Sequence, residues 1–171
     1  PEGRVLIAGG ESSGVATPTL EIYDPVAGKF SPVWGLLSSP RKDHAAAVLR
    51  DGRVLIAGGS DGSVALDTAD IYDPATGEVH PAGKLAARRV GLTATTLLDG
   101  RVLLAGGSNG EADLASTELF DPASGRFTPA AVMDAPRRDH LAVRLPDNNQ
   151  VLMVGGTSGG RPLAGSNSSV E

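Results

Sequence analysis

Cysteine is absent from the 171 residues, which excludes disulfide bonds, thiolate nucleophiles and cysteine-ligated zinc sites. Basic residues are in the minority, with 15 Lys and Arg against 20 Asp and Glu and a formal charge of −5. Such a chain lacks the basic surface that attracts nucleic acids and anionic membranes. No apolar run approaches the roughly 18 residues of a membrane-spanning helix. We therefore expect no nucleic-acid partner and no membrane span.

Glycine, in contrast, is abundant and periodic. The 23 glycines are about twice the average share for a chain of this length. The string GRVLIAGG occupies 3–10 and 52–59, GRVLLAGG follows at 100–107, and QVLMVGG lies at 150–156. An internal repeat of 48 or 49 residues is typical of solenoid and propeller proteins.

Two apolar runs precede each central Gly-Gly pair, and an Asp-Gly turn separates them. The runs are HAAAVL (44–49) with RVLIA (53–57), and LTATTLL (92–98) with RVLLA (101–105). Asp-Gly between such runs predicts a β-hairpin, since both central residues of that turn tolerate positive φ. Because both runs are apolar on both faces, we expect both strands to be buried on both sides.

An aromatic residue follows each of the first three Gly-Gly pairs after thirteen residues: Tyr23, Tyr72 and Phe120. An Asp-Pro-x-x-Gly turn comes next, and its proline and glycine suit the dihedral angles of a turn. A fourth short strand follows, as KFSPV, EVHPA or RFTPA. Each repeat therefore predicts four strands, and no segment has helical periodicity.

This combination resembles the kelch repeat. The Arg-x-x-His of that family appears as Arg41…His44 and Arg137…His140, while the middle repeat has Arg89…Leu92. The family's tryptophan position holds Phe30, Val79 and Phe127. The resemblance implies an all-β fold of propeller blades, each with four antiparallel strands. The YDPATG form of the turn looks bacterial.

On this resemblance the chain holds about three and a half blades. The expected units are a partial blade at 1–40, blades at 41–87 and 88–135, and a partial blade at 136–171. We expect the chain to be part of a longer propeller, with further blades or partner subunits at its open ends. The alternative is a short natural chain that closes by assembling with itself.

In kelch propellers one face carries the loops that join the second and third strands and those that join successive blades. Here these loops are 11–20, 60–69, 108–116 and 157–169, and 34–43, 81–91 and 129–139. Loops on a rigid scaffold are the usual place for binding residues. The candidate binding residues on this face are Trp34, Arg41, Asp61, Arg88, Arg89, Asn109, Glu111, Arg137 and Arg138.

The arginines at matched positions, Arg41, Arg89 and Arg137, allow two interpretations. They ring the channel mouth and bind an acidic ligand, or each pairs with a carboxylate of a neighbouring blade. The carboxylates considered are Glu21, Asp70 and Glu118. Repetition at one register favours the structural interpretation, because a binding site is usually asymmetric.

Other candidates are weaker. Trp34 is either a binding anchor or a cap on the hydrophobic layer between blades. His44 and His140 lack the third ligand that a metal site requires, so no metal is predicted. DGS (61–63) and SNGEAD (108–113) fit turns better than calcium loops. Asn167-Ser168-Ser169 is a glycosylation sequon.

No nucleophile-elbow, zinc-protease or nucleotide-binding motif occurs in the sequence. We expect no cofactor and a non-catalytic module that binds a protein or glycan on the loop face, within a larger secreted or cell-surface bacterial protein. One alternative is part of a kelch-type enzyme, a sugar-acid isomerase or copper oxidase, whose active residues lie elsewhere. Another alternative is a structural assembly component.

Overall fold

A computed structural model describes residues 3–146 and 148–163 and the backbone of residues 168–170. Every regular element in these ranges is a β-strand, so the all-β prediction is confirmed. The same ranges hold no helix long and apolar enough to cross a membrane. The strands are β1 (Val5–Ala8), β2 (Glu11–Ser12), β3 (Val15–Ala16), β4 (Leu20–Asp24), β5 (Lys29–Pro32), β6 (Ala45–Val48), β7 (Val54–Ala57), β8 (Thr68–Asp73), β9 (Glu78–Lys84), β10 (Thr93–Thr96), β11 (Val102–Ala105), β12 (Thr117–Asp121), β13 (Arg126–Pro129), β14 (Leu141–Arg144), β15 (Val151–Val154), β16 (Thr157–Ser158), β17 (Arg161–Pro162) and β18 (Ser168–Val170).

These strands form four successive antiparallel sheets. Sheet 1 has the order β1-β4-β5, sheet 2 β6-β7-β8-β9, sheet 3 β10-β11-β12-β13, and sheet 4 β14-β15-β18. Two short hairpins, β2-β3 and β16-β17, lie in the loops of sheets 1 and 4. Sheets 2 and 3 confirm the predicted four-stranded unit. Neighbouring sheets contact each other through their inner strands, in the order β6, β10, β14.

The core consists of apolar layers between successive sheets. Leu20 of sheet 1 and Ile56 of sheet 2 belong to the first layer. Leu55 of sheet 2 and Leu104 of sheet 3 belong to the second. Because successive residues of a strand point to opposite faces, β7 supplies both layers at once. This explains why the sequence of β7 is apolar at every position. The predicted burial of β7 and β11 is confirmed.

The predicted burial on both faces is wrong for β6, and the inner strand β14 at the other end of the array is exposed as well. Val48 on β6 is 62% exposed, and Leu141 on β14 is 60% exposed. An inner strand is covered on both faces only where a neighbouring inner strand lies on each side. Among the described residues, β10 alone has this position, and all four of its residues are partly buried.

The Asp-Gly hairpins form as predicted, but with another turn. Gly52 has a φ of 91°, whereas Asp51 keeps a negative φ. The Leu49 N–H donates to the carbonyl of Arg53 at 2.7 Å, so the loop has three residues and glycine takes the left-handed position. The Asp51 carboxylate accepts the Arg53 N–H at 3.0 Å. Asp51 therefore stabilises the turn by accepting a hydrogen bond, and its own φ stays negative.

The outer strand of each of the first three sheets contains a proline. These are Pro32 on β5, Pro81 on β9 and Pro129 on β13. Proline has no N–H to offer to an added strand, and it is accepted in sheets mainly at edges. The outer edges of these sheets are therefore poor templates for pairing with another chain.

Candidate functional site

The three repeated arginines lie at the ends of the loops that enter sheets 2, 3 and 4. Arg41, Arg89 and Arg137 are among the largest fully buried side chains in the described part of the chain. They are therefore not available to a ligand on the loop face. The interpretation that they ring a channel mouth, and their place among the candidate binding residues, are both wrong.

Each arginine side chain binds its own sheet. Nη1 of Arg41 donates to the carbonyls of Gly58 and Thr68 at 2.7 and 2.9 Å, and Nη2 lies 2.8 Å from the Asp70 carboxylate. Arg89 repeats these contacts, with Glu118 at 3.0 Å as the carboxylate. The ion-pair interpretation is thus correct for Arg41 and Arg89.

The expected location of the carboxylate partner is wrong. Asp70 lies on β8 of the sheet that Arg41 enters, and Glu118 lies on β12 of the sheet that Arg89 enters. Each pair therefore forms within one repeat, because the arginine reaches across its own sheet from inner edge to third strand. Glu21, the other carboxylate considered, is exposed on β4.

The backbone of each arginine binds the preceding sheet. The Arg89 carbonyl accepts the N–H of Gly59 at 2.8 Å, and the Arg137 carbonyl accepts the N–H of Gly107 at 2.9 Å. Arg41 does the same with Gly10 at 2.8 Å. We call this combination of side-chain and backbone contacts the arginine clasp. It joins two successive sheets through one residue.

The Gly-Gly pairs are required by the arginine clasp. A Cβ atom at Gly106 would lie 2.3 Å from the carbonyl oxygen of Arg137, and one at Gly58 would lie 2.5 Å from that of Arg89. Both glycines also have positive φ, 63° and 67°. The repeated glycines therefore mark the close approach of one sheet's backbone to the next.

The ion pair of the clasp is buried, and its carboxylate also binds the backbone of a loop. Burial lowers the pKa of Arg89, while Glu118 opposes that shift, so the guanidinium remains charged. The second oxygen of Glu118 accepts the N–H of Ala86 at 2.7 Å. The carboxylate thus fixes the loop that leads into the sheet, and its role is structural.

Two further candidates stabilise turns. The Asp61 carboxylate accepts the N–H groups of Ser63 and Val64 at 2.8 and 2.9 Å. Asn109, at the matched position of the next repeat, accepts those of Glu111 and Ala112 at 2.9 and 2.8 Å. The side-chain oxygens of Asp61 and Asn109 thus accept hydrogen bonds within their own loops, which agrees with the prediction that these segments are turns. No group of three or more His, Asp or Glu side chains suited to a metal occurs in the described ranges.

The remaining charged candidates differ in their surroundings. Arg138 lies 3.5 Å from Asp113, so it pairs with the loop of the preceding sheet. Lys42 pairs in the same way with Glu11. Arg88 and Glu111 are exposed, and their side chains have no ion pair or hydrogen bond among the described residues. Asn167 of the sequon lies outside those residues.

Trp34 is 96% exposed, so it does not cap the layer between sheets. In sheet 1 the N–H groups of Val33 and Leu37 donate to the carbonyls of β4 and its preceding loop, with three residues between the two donors. In sheet 3 the matched donors are Ala130 and Met133, with two residues between them. Trp34 therefore lies in a one-residue insertion that is peculiar to the first repeat.

Beside Trp34 a cavity of about 560 Å³ opens between the outer strands of sheets 1 and 2. Val79 on β9 lines it, at the position that Phe127 occupies in sheet 3. We call this cavity the Trp34 groove. Its lining residues are Ile22, Pro32, Val33, Trp34, Gly35, Tyr72, Thr76, Gly77, Glu78, Val79 and His80. Of these lining residues, the sequence-based choice of loop residues included only Trp34.

Two histidines lie beside the clasps. His140 Nε2 is 3.0 Å from the Thr93 hydroxyl, and burial together with Arg137 lowers the pKa of His140 to about 4. Burial and Arg41 likewise lower the pKa of His44. The matched residue of the middle repeat is Leu92, which packs against Gly58. The imidazoles therefore serve mainly as neutral packing groups.

We expect the fold to lose stability in mild acid through these histidines. An unfolded histidine has a pKa of about 6.5, so below that pH the unfolded chain gains protons that folded His140 accepts only near pH 4. The stability contributed by neutral His140 is complete above pH 6.5 and is lost as the pH falls towards 4. Because the ring keeps some solvent contact, we expect the loss to be about 2 kcal/mol.

Urea unfolding at pH 7.5 and 4.5 measures this loss. His140→Leu, which copies Leu92, should reduce the difference between the two free energies of unfolding by about 2 kcal/mol. His80→Leu serves as the control, because His80 is exposed on β9. Equal pH dependence in wild type and His140→Leu would contradict the expectation.

One comparison with known proteins identifies part of the chain. The family model described as the Kelch motif matches residues 40–85, about a quarter of the sequence. This segment begins just before Arg41 and covers sheet 2 with its clasp. No curated protein matches the chain. Residues 40–85 thus carry a Kelch motif, and the four-stranded antiparallel sheets 2 and 3 are consistent with kelch blades.

Proposed function

We propose that this chain is a non-catalytic protein-interaction module that binds its partner at Trp34 and the groove beside it. Kelch motifs generally act as protein-interaction or scaffold repeats. The observation that carries the proposal is the exposure of Trp34 in an insertion that breaks the repeat. Features shared by all repeats maintain the fold, so a feature found in one repeat needs another explanation.

The structural roles of the other candidate binding residues support the proposal. The buried arginines form clasps, and Asp61 and Asn109 cap turns. A fully exposed tryptophan, in contrast, contributes little to the core. Tryptophan is among the residues most enriched in binding hot spots, where its loss typically costs about 2 kcal/mol or more.

Trp34→Ala is expected to reduce partner capture at least about tenfold while leaving the fold intact. A loss of about 2 kcal/mol in binding free energy corresponds to more than a tenfold loss of affinity. Immobilised wild-type protein and variants are incubated with extract of the source cells, and bound proteins are quantified by mass spectrometry. Val132→Ala is the matched control, because Val132 is 70% exposed in the corresponding loop of sheet 3. Thermal melting should be unchanged in both variants.

A protein that is retained by wild type and Val132→Ala but lost with Trp34→Ala would support the proposal and name the partner. Identical profiles from all three baits would refute it. Equal losses in both variants would also refute it, because binding would then not be specific to Trp34.

A second candidate function, assembly with further blades, is favoured by the outer faces of the array. Val5 and Ile7 of sheet 1 and Leu141 and Val143 of sheet 4 are exposed apolar residues. A Cβ atom at Gly155 would meet no atom within 4 Å, unlike those at the matched Gly9, Gly58 and Gly106. We propose that another kelch blade, from a longer chain or a partner subunit, covers the face of sheet 4.

A further inference from the structure

We propose that the Trp34 groove binds an arginine or lysine side chain of the partner, an inference that rests on the proposed interaction function. The groove coincides with one substitution within the repeat. In sheet 3 the rings of Phe120 and Phe127 are 4.8 Å apart, and a Cβ atom at Gly83 of sheet 2 would lie 4.0 Å from the Phe127 ring. In sheet 2 the residue matched to Phe127 is Val79, which leaves room beside Tyr72.

The walls of the groove suit a long aliphatic stem. Ile22 and Val33 of sheet 1 and Val79 of sheet 2 line it with apolar side chains. The groove has a volume of about 560 Å³ and is open to solvent. Lysine and arginine bury such stems against apolar surfaces while their charged ends remain hydrated.

The charge of the groove suits a cationic end. Glu78 is the single carboxylate among the lining residues, and its side chain is 64% exposed. Its partner in the structure is His80 at 3.2 Å, which is charged only if protonated. The exposed face of Trp34 attracts cations through its π-electrons, and tryptophan does so best among aromatic residues. The net charge of −5 favours approach of a basic partner.

The edges of the adjoining sheets favour recognition by side chains. Pro32 and Pro81 lie on the outer strands that border the groove. A partner strand added along such an edge lacks a backbone donor at each proline. Insertion of a long side chain between the two sheets needs no such donor.

The test uses the whole chain and its only tryptophan, Trp34, as the fluorescent reporter. The probes are acetylated, amidated hexaarginine and hexalysine, with hexaglutamate and maltohexaose as alternatives. We expect a saturable change in Trp34 emission with hexaarginine or hexalysine and none with the other two. Val79→Phe, which copies Phe127, should weaken binding at least about tenfold by filling the groove.

A second pair of variants keeps the test valid if Val79→Phe does not fold. Glu78→Gln should weaken binding of the basic peptide about fivefold or more. Glu111→Gln removes the same charge from an exposed carboxylate on another loop and should leave binding unchanged. Circular dichroism and melting verify the fold of each variant.

Equal weakening by Glu78→Gln and Glu111→Gln would overturn the proposal, because the peptide would then be attracted by net charge alone. Binding of maltohexaose without the basic peptides would overturn it in favour of a glycan site. Partner capture that depends on Trp34 but survives Glu78→Gln and Val79→Phe would leave the interaction function standing and refute the cationic side chain. Absence of any Trp34-dependent capture would instead refute the interaction function.

Discussion

Arg89→Ala is expected to lower the free energy of unfolding by about 3–5 kcal/mol, since it leaves a buried carboxylate without its counter-charge. Arg89 and Glu118 are almost completely buried and lie 3.0 Å apart. The variant also removes the donors to the carbonyls of Gly106 and Ser116, which lie 2.8 Å from Nη1. Urea unfolding at pH 7.5, followed by circular dichroism, measures the change.

Arg88 provides a matched control one residue earlier. It is exposed and has no polar partner among the described residues, so Arg88→Ala should change stability by no more than about 0.5 kcal/mol. Replacing both members of the pair, with Arg89→Met and Glu118→Leu, should recover part of the loss because no buried charge remains. Similar unfolding free energies for Arg88→Ala and Arg89→Ala would show that the clasp contributes little.

Gly106→Ala should be the second severe substitution. Its Cβ would lie 2.3 Å from the Arg137 carbonyl and 2.9 Å from the His140 ring. Because the first of these contacts is with backbone, the two sheets must separate or the clasp must break. We expect a left-handed strain of about 1–2 kcal/mol plus an overpacking cost of about 3 kcal/mol. Thermal and urea unfolding of the purified variant measure the sum.

Gly155→Ala separates the two contributions. Gly155 has a φ of 67°, close to the 63° of Gly106, yet a Cβ there meets no atom within 4 Å. Where sheet 4 stays uncovered, its substitution should therefore cost only the backbone strain, about 1–2 kcal/mol. If Gly155→Ala is as harmful as Gly106→Ala, then another blade covers sheet 4 in solution, as the assembly proposal requires. If both are mild, the close approach of the arginine carbonyl does not constrain the glycine.

Much of the fold could be predicted from the sequence because its signals are local and recur in register. The alternation of apolar runs, turns and aromatic residues specified the strands, and β7 and β11 are buried as predicted. The burial of the inner strands could not be predicted in this way. Burial of β6 and β14 depends on which neighbours flank them, and the composition of a strand does not contain that information.

The candidate site was harder to predict. Repetition correctly favoured a structural role for the arginines, but the separation between Arg89 and Glu118 along the chain does not reveal which sheet supplies the carboxylate. The sequence shows the extra residue near Trp34, since Tyr23 and Arg41 are 18 residues apart whereas Tyr72 and Arg89 are 17 apart. The exposure of the Trp34 side chain is known only from the structure. The groove likewise follows from missing bulk at Val79, whose effect depends on packing between sheets.

The prolines on β5, β9 and β13 have a consequence for how such proteins enlarge. Sideways extension of a sheet is discouraged at each outer edge, whereas the broad apolar faces of sheets 1 and 4 accept another sheet of the same kind. Whole repeats can then be added along one axis, at the face of sheet 1 or at that of sheet 4. Each added repeat brings its own arginine and its own glycine pair, so a new junction needs no change in those already present.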